Sequence, residues 1–166
     1  MMTFFSERYG QGKKSFLESM RKLKTDYIDL MLLHQPFGDY YGARRALEDL
    51  YEEGKLRAIG ISNFRPDRMI VIASFSKIKP MVNQIEIHPH NQQKAAKEWN
   101  EKYGVQLEAW APFGEGRGGI FDLPELKAIA ESHKKNRCSG NYPLASAKRN
   151  CCYSEIHAHR AYGRKF

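Results

Sequence analysis

Residues 27–64 read YIDLMLLHQPFGDYYGARRALEDLYEEGKLRAIGISNF, and this stretch decides the fold. Tyr27 to Leu33 is an apolar run interrupted only by Asp29, the pattern of a strand buried on both faces. His34, Gln35 and Pro36 follow at its end. A polar turn leads into a helical pattern with Ala46, Leu47, Leu50 and Tyr51 on one face, and Gly54 stands where that helix stops. A second apolar run, Ala58 to Ile61, ends in Ser62, Asn63 and Phe64. Strand, helix and strand of these lengths predict a βαβ unit. Both strands end in residues capable of chemistry, at the end where parallel α/β sheets and barrels carry their sites.

The same alternation extends on both sides. Lys13 to Lys24 is a helix candidate, with Phe16, Met20 and Leu23 at helical spacing, whereas residues 1–12 show no periodicity and receive no element. Pro66 sits in the first turn of a helix through about Ser76, whose buried side is Met69, Ile70, Ile72 and Ala73. Met81 to Ile87 alternates as a strand, Gln92 to Tyr103 is a polar amphipathic helix ending at Gly104, and Val105 to Trp110 is the next strand. Pro124 opens a helix through about His133. Four strands, each followed by a helix, predict a parallel sheet with right-handed crossovers. An arc of four strands would leave two open edges and an uncovered inner face.

Four motifs fall in a specific order: LLHQP (residues 32–36), GISNF (60–64), NQIEIHP (83–89) and LEAWAPFG (107–114). Over roughly residues 13–133 the chain resembles the aldo-keto reductases, and among them the 2,5-diketogluconate reductases. That resemblance implies part of a TIM (β/α)8 barrel, about four βα units corresponding to its fourth to seventh strands. It also implies an NADP(H) cofactor and reduction of a small aldehyde or ketone to an alcohol. His34, otherwise an ordinary strand-end histidine, would be a neutral imidazole donating a hydrogen bond to the substrate carbonyl oxygen. In the family it belongs to an Asp-Tyr-Lys-His tetrad whose tyrosine donates the proton, and no residue of this chain is assigned the other three roles. Ser62 and Asn63, otherwise turn formers, would grip the nicotinamide carboxamide together with Gln84. Trp110 would stack on the nicotinamide ring, and Ala111 to Gly114, Phe113 included, would follow the pyrophosphate. Gln35 matches a substrate-pocket position. Because tetrad members act as a unit, little or no reductase activity is expected of the 166 residues alone.

Length agrees with a partial barrel, since 166 residues make one domain and a whole barrel takes about 250. With no apolar run of 18 residues and no secretory pattern in Met1 to Gly10, the expectation is a cytoplasmic protein without a membrane partner. The net charge of +8 would suggest nucleic acid. Its location argues otherwise. Residues 134–166 hold eight lysines and arginines against the single acid Glu155, so seven of the eight units of net positive charge sit there. All three cysteines, Cys138, Cys151 and Cys152, lie in the same tail. No metal is expected: Glu86, His88 and His90 share one strand and its exit, and the tail's Cys-Cys and His-x-His (His157, His159) lack paired ligand spacing. GEGRGG (114–119) lacks the strand-to-helix context of a phosphate fingerprint and reads as a flexible loop over the cofactor.

The abrupt change of composition after His133 has its own explanation. Lys134, Lys135 and Asn136 are encoded by an adenine-rich run. With one base removed there, the degenerate codons permit TAAQVIIRWL over residues 136–145 and QRGIVAIPKSTHIERMEENF over 147–166. This is a helix, a strand and a new helix start, and IPKS resembles the family's motif for the 2′-phosphate of NADP. Residues 134–166 are therefore expected to be out of frame and disordered, with Glu155 and Ile156 standing where that Lys-Ser pair would be. The chain thus divides into an unassigned segment 1–12, a partial barrel 13–133 and a basic tail 134–166. The competing readings are a non-catalytic nicotinamide-binding or regulatory fragment and a basic nucleic-acid-binding protein acting through the tail.

Overall fold

The structure, a computed structural model, describes residues 2–4, 9–132 and 151–152. Six strands form one sheet: β1 (Met2–Phe4), β2 (Ile28–Leu33), β3 (Leu56–Ser62), β4 (Val82–Glu86), β5 (Gln106–Trp110) and β6 (Cys151–Cys152). Each strand lies beside its neighbour in sequence, and every pairing is parallel. Helices α1 (Tyr9–Leu23), α2 (Tyr40–Glu52), α3 (Pro66–Phe75) and α4 (Lys94–Tyr103) connect the first five strands, and α5 (Pro124–Ser132) follows β5. A singly wound sheet of this order is an arc of the (β/α)8 arrangement. No helix among the described residues is long and apolar enough to cross a membrane.

Local chemistry sets the boundaries. The Asp39 carboxylate accepts the Gly42 N–H at 2.9 Å and caps α2, which starts three residues before the apolar face begins. Pro66 opens α3, and Gly104, left-handed at φ 70°, closes α4. The core lies between sheet and helices, where Met31, Leu33, Ile59 and Ile61 pack against Phe16, Leu47, Leu50, Met69 and Ile72.

Three expectations change. The four expected βα units are present, from β2–α2 to β5–α5, but two short strands extend the sheet, so β2 and β5 are not edges: β1 pairs with β2 from Met2↔Met31 to Phe4↔Leu33, and β6 pairs with β5. Residues 1–12, which carry no periodic signal, hold β1 and the first turn of α1, which begins at Tyr9 and not at Lys13. A three-residue strand is too short to show an alternation, and here a neighbouring strand, not a local pattern, supplies its hydrogen-bond partners. Cys151 and Cys152, expected in a disordered tail, instead form β6, its hydrogen-bond partners supplied by β5; the rest of the expectation of a disordered, frameshifted tail, with Cys138, Glu155, Ile156, His157 and His159, lies outside the described residues.

Candidate active site

The C-terminal ends of β2 to β5 converge on one asparagine. Asn63, the first residue after β3, takes a left-handed conformation with φ 62°, which asparagine tolerates better than most residues. Its backbone N–H donates to the Gln84 carbonyl at 2.8 Å. Its side-chain Nδ2 donates to the His34 carbonyl at 3.3 Å and to Ser62 Oγ at 3.0 Å. Its Oδ1 accepts the Trp110 indole N–H at 2.9 Å. One side chain thereby ties β2 to β5 and touches β4 through its backbone. Buried Ser62 donates its hydroxyl to the Gln84 carbonyl at 3.0 Å, completing the knot.

Below this knot, Ser62, Gln84 and Glu108 lie on one rung of β3, β4 and β5. Gln84 Nε2 donates to Glu108 Oε1 at 2.7 Å, and both side chains are buried. Trp110 stands two residues beyond Glu108, hence on the same face of β5. The structure thus brings five of the expected residues, His34, Ser62, Asn63, Gln84 and Trp110, to one mouth. The Trp110 indole is tethered edge-on by Asn63.

Beside this mouth runs the segment that follows β2. His34 and Gln35 are half-buried there, and Arg68 from the first turn of α3 donates to the Pro36 carbonyl at 2.6 Å. This charge-assisted bond fixes the segment from outside. Beyond Trp110 the chain turns sharply: Ala111 has φ 47°, and the Gly114 N–H returns to the Ala111 carbonyl at 2.8 Å. Gly114 is left-handed at φ 57°, and a Cβ there would sit 3.1 Å from Ile120 Cδ1, so only glycine fits the turn easily. Phe113 lies with its ring 5.9 Å from that of Phe121, on the following 3-10 turn.

Of the residues with a superficial metal pattern, two lie against each other and the third bonds to this loop. His88 Nε2 lies 3.3 Å from a Glu86 oxygen, and His90 Nε2 lies 3.2 Å from the Gly118 carbonyl. Among the described residues, no group of three His, Cys, Asp or Glu side chains is placed to hold a metal ion. Two participants escape a reading of the sequence, Arg68 and Glu108. The signal for Glu108 was present, since alternation along LEAW puts it on the face that carries Trp110.

Comparison with known proteins agrees with this geometry. The family model described as "Aldo/keto reductase family" matches residues 5–156. Glyoxal reductase of Bacillus subtilis is 44% identical over 123 residues, covering 74% of this chain and 44% of that protein. The 9,11-endoperoxide prostaglandin H2 reductase of Trypanosoma cruzi is 41% identical over 133 residues, covering 77% of this chain and 46% of its own length. The chain therefore spans about half the length of the curated relatives it matches. Among solved structures, an aldo-keto reductase from a Medee basin deep-sea metagenome library superposes with a TM-score of 0.84 at 32% identity, over 92% of this chain and 58% of that one. An aldo-keto reductase of Brucella melitensis gives 0.84 at 34% identity, over 90% and 59%. A Bombyx mori aldo-keto reductase in complex with NADP gives 0.84 at 28% identity, over 92% and 57%. With the family matched across most of its length and the fold matched across nine-tenths of it, the chain belongs to the aldo/keto reductase family.

Proposed function

We propose that residues 1–166 form the nicotinamide-binding and carbonyl-polarising side of an NADPH-dependent reductase of aldehydes or ketones. The knot around Asn63 is the observation that carries this reading, because it fixes a hydroxyl, an amide and an indole at the mouth where His34 stands. A planar carboxamide is recognised by donors and acceptors held in fixed positions, and these are held by bonds between four strands. The turn at Gly114, whose left-handed backbone favours a residue without a side chain, suits close approach of backbone to a phosphate.

NADPH, when bound, supplies a hydride. His34 donates an imidazole N–H to the substrate carbonyl oxygen and stabilises the negative charge that develops there. Ser62, Asn63 and Gln84 orient the carboxamide, and Trp110 offers an aromatic face to the ring. Ala111 and Phe113 line the path of the phosphates, and Gln35 borders the carbonyl substrate. The glyoxal reductase relative makes glyoxal the first aldehyde to offer.

Titration of the chain with NADPH, read by quenching of tryptophan emission, tests the reading. Saturable binding is expected, weakened about tenfold by Asn63→Ala, the effect of losing one to two well-placed hydrogen bonds. An absence of saturable binding overturns it. Turnover of glyoxal by these 166 residues is expected to be slight, because none of them is assigned the proton-donor role. The competing non-catalytic reading predicts binding with no turnover at all, and turnover that His34→Ala abolishes excludes it.

A further inference from the structure

The buried carboxylate of Glu108 has no place in the reading so far. It lies inside the arc, its side chain almost entirely excluded from solvent, and no lysine, arginine or histidine forms an ion pair with it among the described residues. Among the described residues its partner is Gln84, whose Nε2 donates to it at 2.7 Å. Burying a carboxylate for a single neutral partner is costly for stability alone, and an apolar residue on that rung would pack without the cost.

The asymmetry of the two groups explains the choice. An ionised carboxylate can only accept, whereas the two ends of a glutamine amide are similar in shape and opposite in chemistry. Beside Glu108, the amide of Gln84 has one favourable orientation: NH2 toward β5, carbonyl away from it. We infer that Glu108 is a positioning residue that orients the Gln84 amide so that its carbonyl oxygen is the end offered to the NH2 of the nicotinamide carboxamide. The rung places Ser62 on the far side of Gln84, so the oriented amide lies between the hydroxyl and the carboxylate at one height in the sheet. This inference rests on the nicotinamide reading above.

Two nucleotides separate the possibilities: NADPH, and its reduced 3-acetylpyridine analogue, in which a methyl group replaces the carboxamide NH2. Glu108→Gln keeps the size of the side chain but lets both amides turn, since two amides can pair in either sense. It is expected to weaken NADPH about five- to tenfold, the value of one neutral hydrogen bond, and to leave the analogue unchanged. Equal weakening of both nucleotides makes Glu108 a support of the sheet only and overturns the inference. So does an unchanged affinity for NADPH. If the unsubstituted chain binds neither nucleotide, the nicotinamide reading falls and this one with it; if it binds both equally well, only the inference falls. Where Glu108→Gln does not give a cooperative thermal transition, the exchanged pair Gln84→Glu with Glu108→Gln carries the test. That pair restores one donor facing one acceptor-only group and still presents an oxygen to the carboxamide. It is expected to keep the preference for NADPH, and loss of that preference overturns the inference.

Discussion

Sixteen buried apolar residues, from Phe16 to Val105, form the cluster that joins β2 and β3 to α1, α2 and α3. The corresponding cluster around β4, β5 and α4 has five, Ile85, Ile87, Ala96, Leu107 and Ala109. What the second region lacks in apolar packing it replaces with directional bonds. Asn83 and Asn100 are both fully buried; Asn83 Nδ2 donates to the Phe64 carbonyl at 3.0 Å and to Asn100 Oδ1 at 3.2 Å, and Asn100 Nδ2 donates to the Ala96 carbonyl at 2.7 Å. Packing is non-directional and tolerates small shifts, whereas a hydrogen bond weakens steeply once its angle opens. The region with the weaker apolar core is also the one that carries Gln84, Glu108 and Trp110. Directional bonds in its interior hold those side chains to a definite position, which a binding site requires and a greasy interface does not supply.

The comparison is most exposed at Phe64, which is buried in the larger cluster with its ring edge-on to Tyr40 at 5.7 Å. Phe64→Ala is expected to lower stability by about 3–5 kcal/mol, transfer and cavity terms together. Urea denaturation followed by circular dichroism measures it. A loss below about 1 kcal/mol would mean that the larger cluster is not what holds the first region together.

A smaller effect tests the second region. Asn100→Leu removes an acceptor from Asn83 and is expected to cost about 2 kcal/mol, because the asparagine that remains keeps a buried polar group short of partners. Asn83→Leu should cost a similar amount. The double substitution should cost clearly less than the two losses added, since the pair is a single unit. Strict additivity would show that the two asparagines are independent and that the contrast with the apolar region is false.

These two regions were not equally legible in the sequence. The apolar region announces itself by period: Leu47 and Leu50 on α2 and the runs that became β2 and β3 are where hydrophobicity alone puts them. Residues of the mouth became legible only through motifs, because His34, Ser62, Asn63 and Gln84 are distinguished by what they bond and not by a pattern of burial. Polar residues in the interior gave no signal of either kind. Arg44 is the sharpest example. It sits on α2 almost completely buried, with Glu48 3.6 Å away and the Ile78 carbonyl as hydrogen-bond acceptor, and burial pushes its guanidinium down to about 10. A basic residue among charged neighbours reads as a solvated face, and only the segment after α3, whose Ile78 carbonyl accepts its hydrogen bond, reveals otherwise. β1 and β6 were invisible for a different reason, as two or three residues acquire strand structure from a partner and not from their own composition.

The smallest expected effect sharpens the contrast from the apolar side, because that region also depends on one directional bond, at the entry to α2. A Cβ at Gly42 would come within 2.1 Å of Asp39 Oδ2, and the three nearest atoms to it all belong to that carboxylate. Glycine inside a helix costs about 1 kcal/mol relative to alanine, so the position looks like an easy gain. It is not one, because the capping carboxylate occupies the space, and turning it away forfeits about 1 kcal/mol of cap. Gly42→Ala alone is therefore expected to change stability by about 0 kcal/mol, and Asp39→Ala alone to cost about 1 kcal/mol. With the carboxylate already gone, adding Gly42→Ala to Asp39→Ala should recover about 1 kcal/mol through helix propensity. Thermal unfolding of the four proteins gives the cycle. If Gly42→Ala stabilises equally in both backgrounds, Asp39 is not the group that excludes a side chain at position 42. The bond at the start of α2 would then contribute no more than the packing around it.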